Sequence, residues 1–304
     1  MERKRLLYAF STDRVVSPFD MNVAYDSGFD VVHPFGEVTP DTGRSLAQDI
    51  VFSRGVSGTK QTAIFLGGAD PDRVEAVRTA VTQAMFKPFQ VPVFVDPKGA
   101  YTTAAALVAK AEQGLAKKGL GGLAGTRVAV LGGTGPVGRV AGALGAGAGA
   151  AVTLVETLPG AAARRAAAEV ARAIGARHGV SLAAAQAASP AEAAAVLAEA
   201  EVVLATAKAG VQVLPRGVLE GLRALRLVAD VNAVPPPGVE GLDAQADLAD
   251  LTPRAAGIGA LAVGDLKMKV EMNLMRRLLE VEDRGTVLDH RAALESARAQ
   301  LAGT

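Results

Sequence analysis

Gly133, Gly135 and Gly138 stand as G-x-G-x-x-G within "VLGGTGPVGRV", and an acid, Glu156, follows about twenty residues on. Glycine at 133 permits a tight turn, glycine at 135 lets an anion approach the main chain, and glycine at 138 lets the next helix lie close to its strand. A helix opening there offers free N–H groups and a partial positive charge, which is how a pyrophosphate is held. With Thr134, Pro136 and Val137 completing the loop, the pattern predicts a dinucleotide site. Glu156 can accept hydrogen bonds from the adenosine ribose, which favours NAD because a carboxylate repels the 2′-phosphate of NADP. Thr157 can bond a phosphate and Arg164 or Arg165 can reach one, so NADP use stays open. Glycines that merely pack a helix on a sheet are the alternative. The strand "RVAVLG" before the loop and the strand "AAVTLVE" ending in the acid argue against it.

A second group of residues falls at other predicted strand ends. Asp20 sits in the first turn of "SPFDMNVAYDSG", Asp96 closes "VPVFVD", and Thr102 with Thr103 open the helix that follows. Each can contact a small polar ligand, and each can instead cap its own helix. Ala207 in "ATAKAG" and Asn232 in "ADVNAVPP" follow two strands of the nucleotide half, where a nicotinamide would lie. For Asn232 the alternative is a turn residue ahead of prolines. Lys267 comes just after the glycine-rich "GIGALAVGD" and reads either as a cation for a ligand or as a solvated helix lysine like Lys269. The histidines are set aside: His33 ends a strand, His178 lies by a helix end, and His290 is expected on a surface helix.

The elements that carry these residues alternate. The first third reads as repeated strand and helix, with Ser17–Pro18 and Thr39–Pro40 placing a capping side chain before a proline at the first helical position. Glycine and lysine collect in "AKKGLGGLAGT", where a boundary is expected. A second αβ series follows, including a capping box at Ser189 and Glu192, and the last 40 or so residues read as two helices. The expected fold is α/β with two domains. Residues 1–118 with 265–304 form a βα domain on a parallel sheet, and residues 119–264 form a Rossmann domain. The C-terminal helices return to the first domain.

Composition narrows the chemistry. Half of the 304 residues are apolar, and 32 Lys and Arg balance 31 Asp and Glu without long blocks, so a small-molecule partner is expected and nucleic acid is not. There is no cysteine and the three histidines are scattered, so no metal site is expected. "MERKRLLYAFSTD" is too short in apolar residues for a signal-peptide core, and residues 140–152 fall short of the roughly 18 needed to span a bilayer. A cytoplasmic protein with no membrane partner is the expectation.

Several strings resemble bacterial NAD(P)-dependent methylene-tetrahydromethanopterin dehydrogenases: "SPFDMNVAYDSGFD", "SLAQDIVFSR", "TAIFLGG", "DPKGAYTTAAA", "GGTGPVG", "DVNAVPPPG" and "GIGALAVGDLK". The resemblance covers nearly the whole length, and the last two strings are the most specific. It implies an enzyme that moves a hydride from methylene-tetrahydromethanopterin to NAD or NADP, with the pterin in a cleft between domains. Lys267 and Asp20 would be catalytic, Asp96, Thr102 and Thr103 substrate contacts, and the assembly a homo-oligomer. Relatives that favour NADP carry an arginine just after the second strand of the nucleotide domain, where this chain has Thr157 preceded by Glu156. That departure suits NAD or dual use. Methylene-tetrahydrofolate as the carrier, a non-catalytic NAD(P) sensor and a shikimate-type dehydrogenase are the other readings.

Overall fold

Strand and helix alternate, except from β9 to β11, over residues 3–303, the part of the chain described by the computed structural model. The first run is β1 (Leu6–Ser11), α1 (Pro18–Asp26), β2 (Val31–Phe35), α2 (Pro40–Thr59), β3 (Thr62–Gly67), α3 (Pro71–Ala84), β4 (Val93–Val95) and α4 (Ala100–Lys117), with a 3-10 turn at Pro97–Gly99. The second run begins β5 (Arg127–Leu131), α5 (Pro136–Gly147), β6 (Ala151–Glu156), α6 (Ala161–His178), β7 (Leu182–Gln186) and α7 (Pro190–Leu197). It continues through β8 (Val202–Ala205), α8 (Arg216–Gly221), β9 (Leu227–Asp230), β10 (Asp247–Asp250) and β11 (Ala256–Ile258). Then come α9 (Ala260–Glu280), β12 (Val287–Leu288) and α10 (His290–Ala302).

Four helices start by one device, a capping oxygen followed by proline. Ser17 accepts from Asp20 N–H, Thr39 from Thr42, Asp70 from Asp72 and Arg73, and Ser189 from Glu192. Proline then occupies a position whose N–H would have no helical partner anyway. At Thr39 the box is complete, with Thr42 Oγ1 accepting from Thr39 N–H at 2.9 Å. At Ser189 the return bond to Glu192 comes from Ala188 N–H, one residue earlier. The α2 helix kinks at Gly55, whose φ of 62° a side chain would resist.

The chain divides into two compact units, residues 1–102 with 268–296 and residues 103–267 with 297–304. The divisions fall inside α4, α9 and α10. Most of α4 belongs to the second unit. There Lys110 Nζ bonds Asp247 Oδ2 at 2.8 Å, and a Cβ on Gly114 would meet Leu248 and Leu227. The glycine- and lysine-rich stretch 116–126 follows α4 within this unit.

In the first unit five parallel strands lie in the order β12-β4-β3-β1-β2. Every residue of β3 and β4 is buried, as parallel strands covered on both faces require. The second unit has seven strands in the order β10-β11-β9-β8-β5-β6-β7, parallel except for β10. Counted from β5 the order is 3-2-1-4-5-7-6, the 3-2-1-4-5 arrangement of a dinucleotide-binding sheet extended by β11 and the antiparallel edge strand β10. Leu131, Leu197, Val203, Leu214, Val228 and Val239 pack together in its core.

Both sheets reverse direction once. In the first, β1 lies between β2 and β3; in the second, β5 lies between β6 and β8. Loops leaving the two inner strands part to opposite faces and leave a crevice at the carboxyl edge.

After α9 the chain is fastened to the first sheet by Arg284. Its guanidinium donates to the carbonyls of Leu278 and Val281 at 3.1 Å each, and to Thr59 and Thr62 at 2.9 and 2.8 Å. Burial holds its pKa below the usual arginine value. Arg284→Met keeps the stem but strands four carbonyls, so it is expected to lower the unfolding free energy of the protein by about 3 kcal/mol, read from urea melts.

Candidate functional site

The glycine loop joins β5 to α5 at the crevice of the second sheet. A Cβ on Gly138 would lie 2.6 Å from Gly132 O and 2.7 Å from Gly133 Cα, and one on Gly133 would lie 2.9 Å from Leu154 Cα. Loop, helix and neighbouring strand therefore meet main chain to main chain. Gly135 is the N-cap of α5 and offers no side-chain oxygen, so the first-turn N–H groups have no cap of the kind Ser17 provides at α1. That leaves a cradle of bare peptide groups suited to a pyrophosphate.

Glu156 ends the adjacent strand, 6% exposed, and is held from three directions. Its Oε1 accepts from Thr157 N–H at 2.8 Å and from Leu158 N–H at 2.9 Å, and its Oε2 accepts from the Thr134 hydroxyl. The acid and the glycine loop are thus one assembly. Arg139 Nε donates to Thr134 O at 2.6 Å from within α5. Arg164 Nε donates to Gln186 on β7 at 3.1 Å, and Arg165 is exposed.

Opposite this loop lie the turns after β8 and β9. Thr206 Oγ1 donates to Leu131 O at 2.9 Å, and the Ala207 main chain stands 2.8 Å from where a Cβ on Gly132 would be. Thr206, which the sequence reading passed over, thereby clamps the loop; a hydroxyl at the end of "VVLAT" was its only signal. Asn232 is 5% exposed and spends its amide on the turn. Its Oδ1 accepts from Gly210 and Val234 N–H, and its Nδ2 donates to Pro236 O at 3.0 Å. Beneath it Asp230 accepts from Asn232 and Val239 N–H. Burial pushes the Asp230 pKa up, against the pull of those N–H groups.

In the first unit a cavity of about 250 Å³ opens at the crevice between β1 and β3. Asp20 lines it, together with Asp13, Val15 and Lys98. The sequence reading missed Asp13 and Lys98; the left-handed backbone of Lys98, φ 48° and ψ 40°, leaves no mark in residue type. Asp96 and Thr102 lie elsewhere, 1% and 0% exposed. Asp96 accepts from Tyr101 and Thr102 N–H at 2.8 and 3.3 Å and from the Thr102 hydroxyl at 2.6 Å, so the pair braces the start of α4. Thr103 is half-buried. Lys267 is half-buried in α9, whereas Lys269 is exposed.

His290 departs from its expected place on a surface helix. At the start of α10 it is buried, its ring edge-on to Tyr101 at 5.3 Å, and burial lowers its pKa. Tyr101 donates to Glu75 Oε1 at 2.8 Å; burial first, then the Glu75 charge, drives the Tyr101 pKa up. Among the described residues no group of three or more His, Cys, Asp or Glu side chains can hold a metal ion.

Residues 18–98 match the family model described as methylene-tetrahydromethanopterin dehydrogenase, N-terminal. The NAD(P)-dependent methylenetetrahydromethanopterin dehydrogenase of Methylorubrum extorquens is 34% identical over 295 residues, covering 97% of this chain and 98% of the relative. The chain belongs to that dehydrogenase family. A second relative, the bifunctional protein MdtA of the same organism, is 37% identical over 278 residues, 91% of this chain and 93% of its own. The ornithine carbamoyltransferase of Pyrococcus furiosus is 12% identical with a TM-score of 0.50, covering 98% of this chain and 84% of its own, a likeness of fold alone.

The bracing role of Asp96 has a measurable consequence. Asp96→Ala removes three bonds at the start of a buried helix and is expected to lower stability by about 2–4 kcal/mol in denaturant melts. A variant that keeps its full stability while losing only substrate affinity would instead make Asp96 a ligand contact.

Proposed function

We propose that this enzyme oxidises methylene-tetrahydromethanopterin with NAD(P), taking a hydride from the methylene bridge and leaving the methenyl cation. The observation that carries the reading is the glycine cradle in a chain whose similarity to a dehydrogenase of that name runs end to end. Bound nicotinamide supplies the hydride acceptor. Two ring nitrogens flank the carbon that gives up hydride and share the resulting positive charge, so no proton moves at the reacting atom. Binding, orientation and charge are what the protein adds.

The loop from Gly133 to Gly138, including Thr134, Pro136 and Val137, holds the pyrophosphate by main-chain N–H groups, with Thr157 at its edge. Glu156 receives the ribose. Its carboxylate has four acceptor positions and three are taken, which leaves one on Oε2 for a hydroxyl. Asp230 and Asn232 hold the turn that, with Ala207, borders the nicotinamide. On the carrier side, Asp20 places a negative charge where a cation develops, and Lys267 binds or orients the pterin. Thr103 is a contact, while Asp96 and Thr102 act by fixing the first turn of α4. A cytoplasmic homo-oligomer fits this role. No helix among the described residues is long and apolar enough to cross a membrane, and half-exposed Phe52 and Phe86 give the first unit an apolar surface.

Reduction of NAD and NADP, assayed with both methylene-tetrahydromethanopterin and methylene-tetrahydrofolate, tests the proposal. Turnover of the first carrier is expected, and cofactor binding without turnover of either would make the protein a sensor. Glu156→Ala is expected to raise the KM for NAD about tenfold and that for NADP less. Thr134→Val should shift the NAD to NADP ratio of kcat/KM in the same direction, and Thr134→Ser should restore it; an unmoved ratio removes the ribose role. Lys267→Ala is expected to cut kcat/KM for the pterin with the Kd for NAD(P) nearly unchanged.

A further inference from the structure

The loop Asp96–Pro97–Lys98–Gly99 makes a turn that lysine does not favour. Lys98 and Gly99 are both left-handed, at φ 48° and 72°, a conformation glycine adopts freely and an L side chain resists. The turn cannot relax, because the Asp96 carboxylate anchors its far side to the first turn of α4. Lys98 therefore leaves a fixed point of the backbone and reaches the cavity between β1 and β3. A strained residue held by its surroundings at a pocket is where a binding role is to be sought.

The wall of that cavity holds an unusual pair. Lys98 makes no hydrogen bond or ion pair among the described residues. Asp13 uses Oδ2 to accept from Ala69 N–H at 3.0 Å, and its Oδ1 has no partner among the described residues. Besides buried Asp20, an ammonium and a carboxylate thus line one cavity without a hydrogen bond or ion pair between them. A ligand that suits them presents a donor and an acceptor side by side.

We propose that this cavity takes the 2-amino-4-oxopyrimidine edge of the pterin, with Lys98 donating to the 4-oxo oxygen and Asp13 accepting from the amino side. The proposal rests on the pterin-dehydrogenase reading and adds to it the place and polarity of ring binding. At about 250 Å³ the space is below the roughly 300–1,000 Å³ of pockets that enclose a whole drug-sized ligand, so it holds a ring and leaves the tail outside. Val15 and Pro18 supply apolar wall for the flat face of the ring. Lys98 is a binding residue here and takes no part in hydride transfer.

The test uses the full-length enzyme with NAD, the methylene carrier, and 6-methylpterin as a tail-less competitor. Lys98→Gly relieves the left-handed strain, so its thermal midpoint should stay level or rise while the KM for the carrier and the inhibition constant for 6-methylpterin both rise about tenfold. The KM for NAD should not move. Lys98→Asn, another residue that tolerates this backbone, should behave alike. Unchanged carrier KM in both variants overturns the proposal, and so does a raised carrier KM with unaltered 6-methylpterin inhibition, which places Lys98 on the tail. If the parent enzyme turns over no methylene carrier and is not bound by 6-methylpterin in calorimetry, the dehydrogenase reading itself fails.

Discussion

Buried carboxylates at strand ends, each gathering the N–H groups of the loop that follows, are the constraint on which the rest of the structure depends. Asp96 after β4, Glu156 ending β6 and Asp230 ending β9 all do this. At the carboxyl edge of a parallel sheet the chain turns toward helix starts, which carry more donors than main-chain acceptors can serve. A carboxylate serves two or three at once. Its burial costs solvation, and the upward displacement of the Asp230 pKa is the sign of that cost. Rigid loops at the ligand edge are what the protein gains.

The two sheets use this edge differently. In the second unit the crevice is built of main chain. Glycines bring loop, helix and strand together so closely that side chains are excluded, and the surface at the mouth of α5 is made of peptide groups alone. In the first unit the crevice keeps its side chains, charged residues of both signs around a small cavity. A phosphate is the same in every dinucleotide, so a backbone cradle suffices for it; a particular ring needs particular functional groups.

The alternation of strand and helix was legible because apolar runs, capping residues and prolines repeat in register with the units. The glycine loop was legible because the close main-chain approach at Gly133 and Gly138 admits no other residue type. The shortest elements were not. The strands β10, β11 and β12 have four, three and two residues, and α8 has six, too few for any period to emerge. In the site, the difficulty lay in side chains with two uses. Asp96, Thr102 and Asn232 have the chemistry of ligand contacts, and their oxygens also bond within their own loops, a use that residue type does not announce. Lys98 failed to stand out for the opposite reason: an exposed lysine is commonplace, and its significance lies in a backbone angle. The burial of His290 is not legible, because nothing local announces that Tyr101, far away in the chain, packs against it.

The strand β12 pairs with β4 across nearly two hundred residues of intervening chain, within which the whole second sheet is completed. During synthesis, then, the flank of β4 opposite β3 waits without its native neighbour while another domain's worth of polypeptide leaves the ribosome. An open flank of buried-type residues is prone to recruit a strand from elsewhere, so the newborn protein has its greatest need of chaperone cover in that interval.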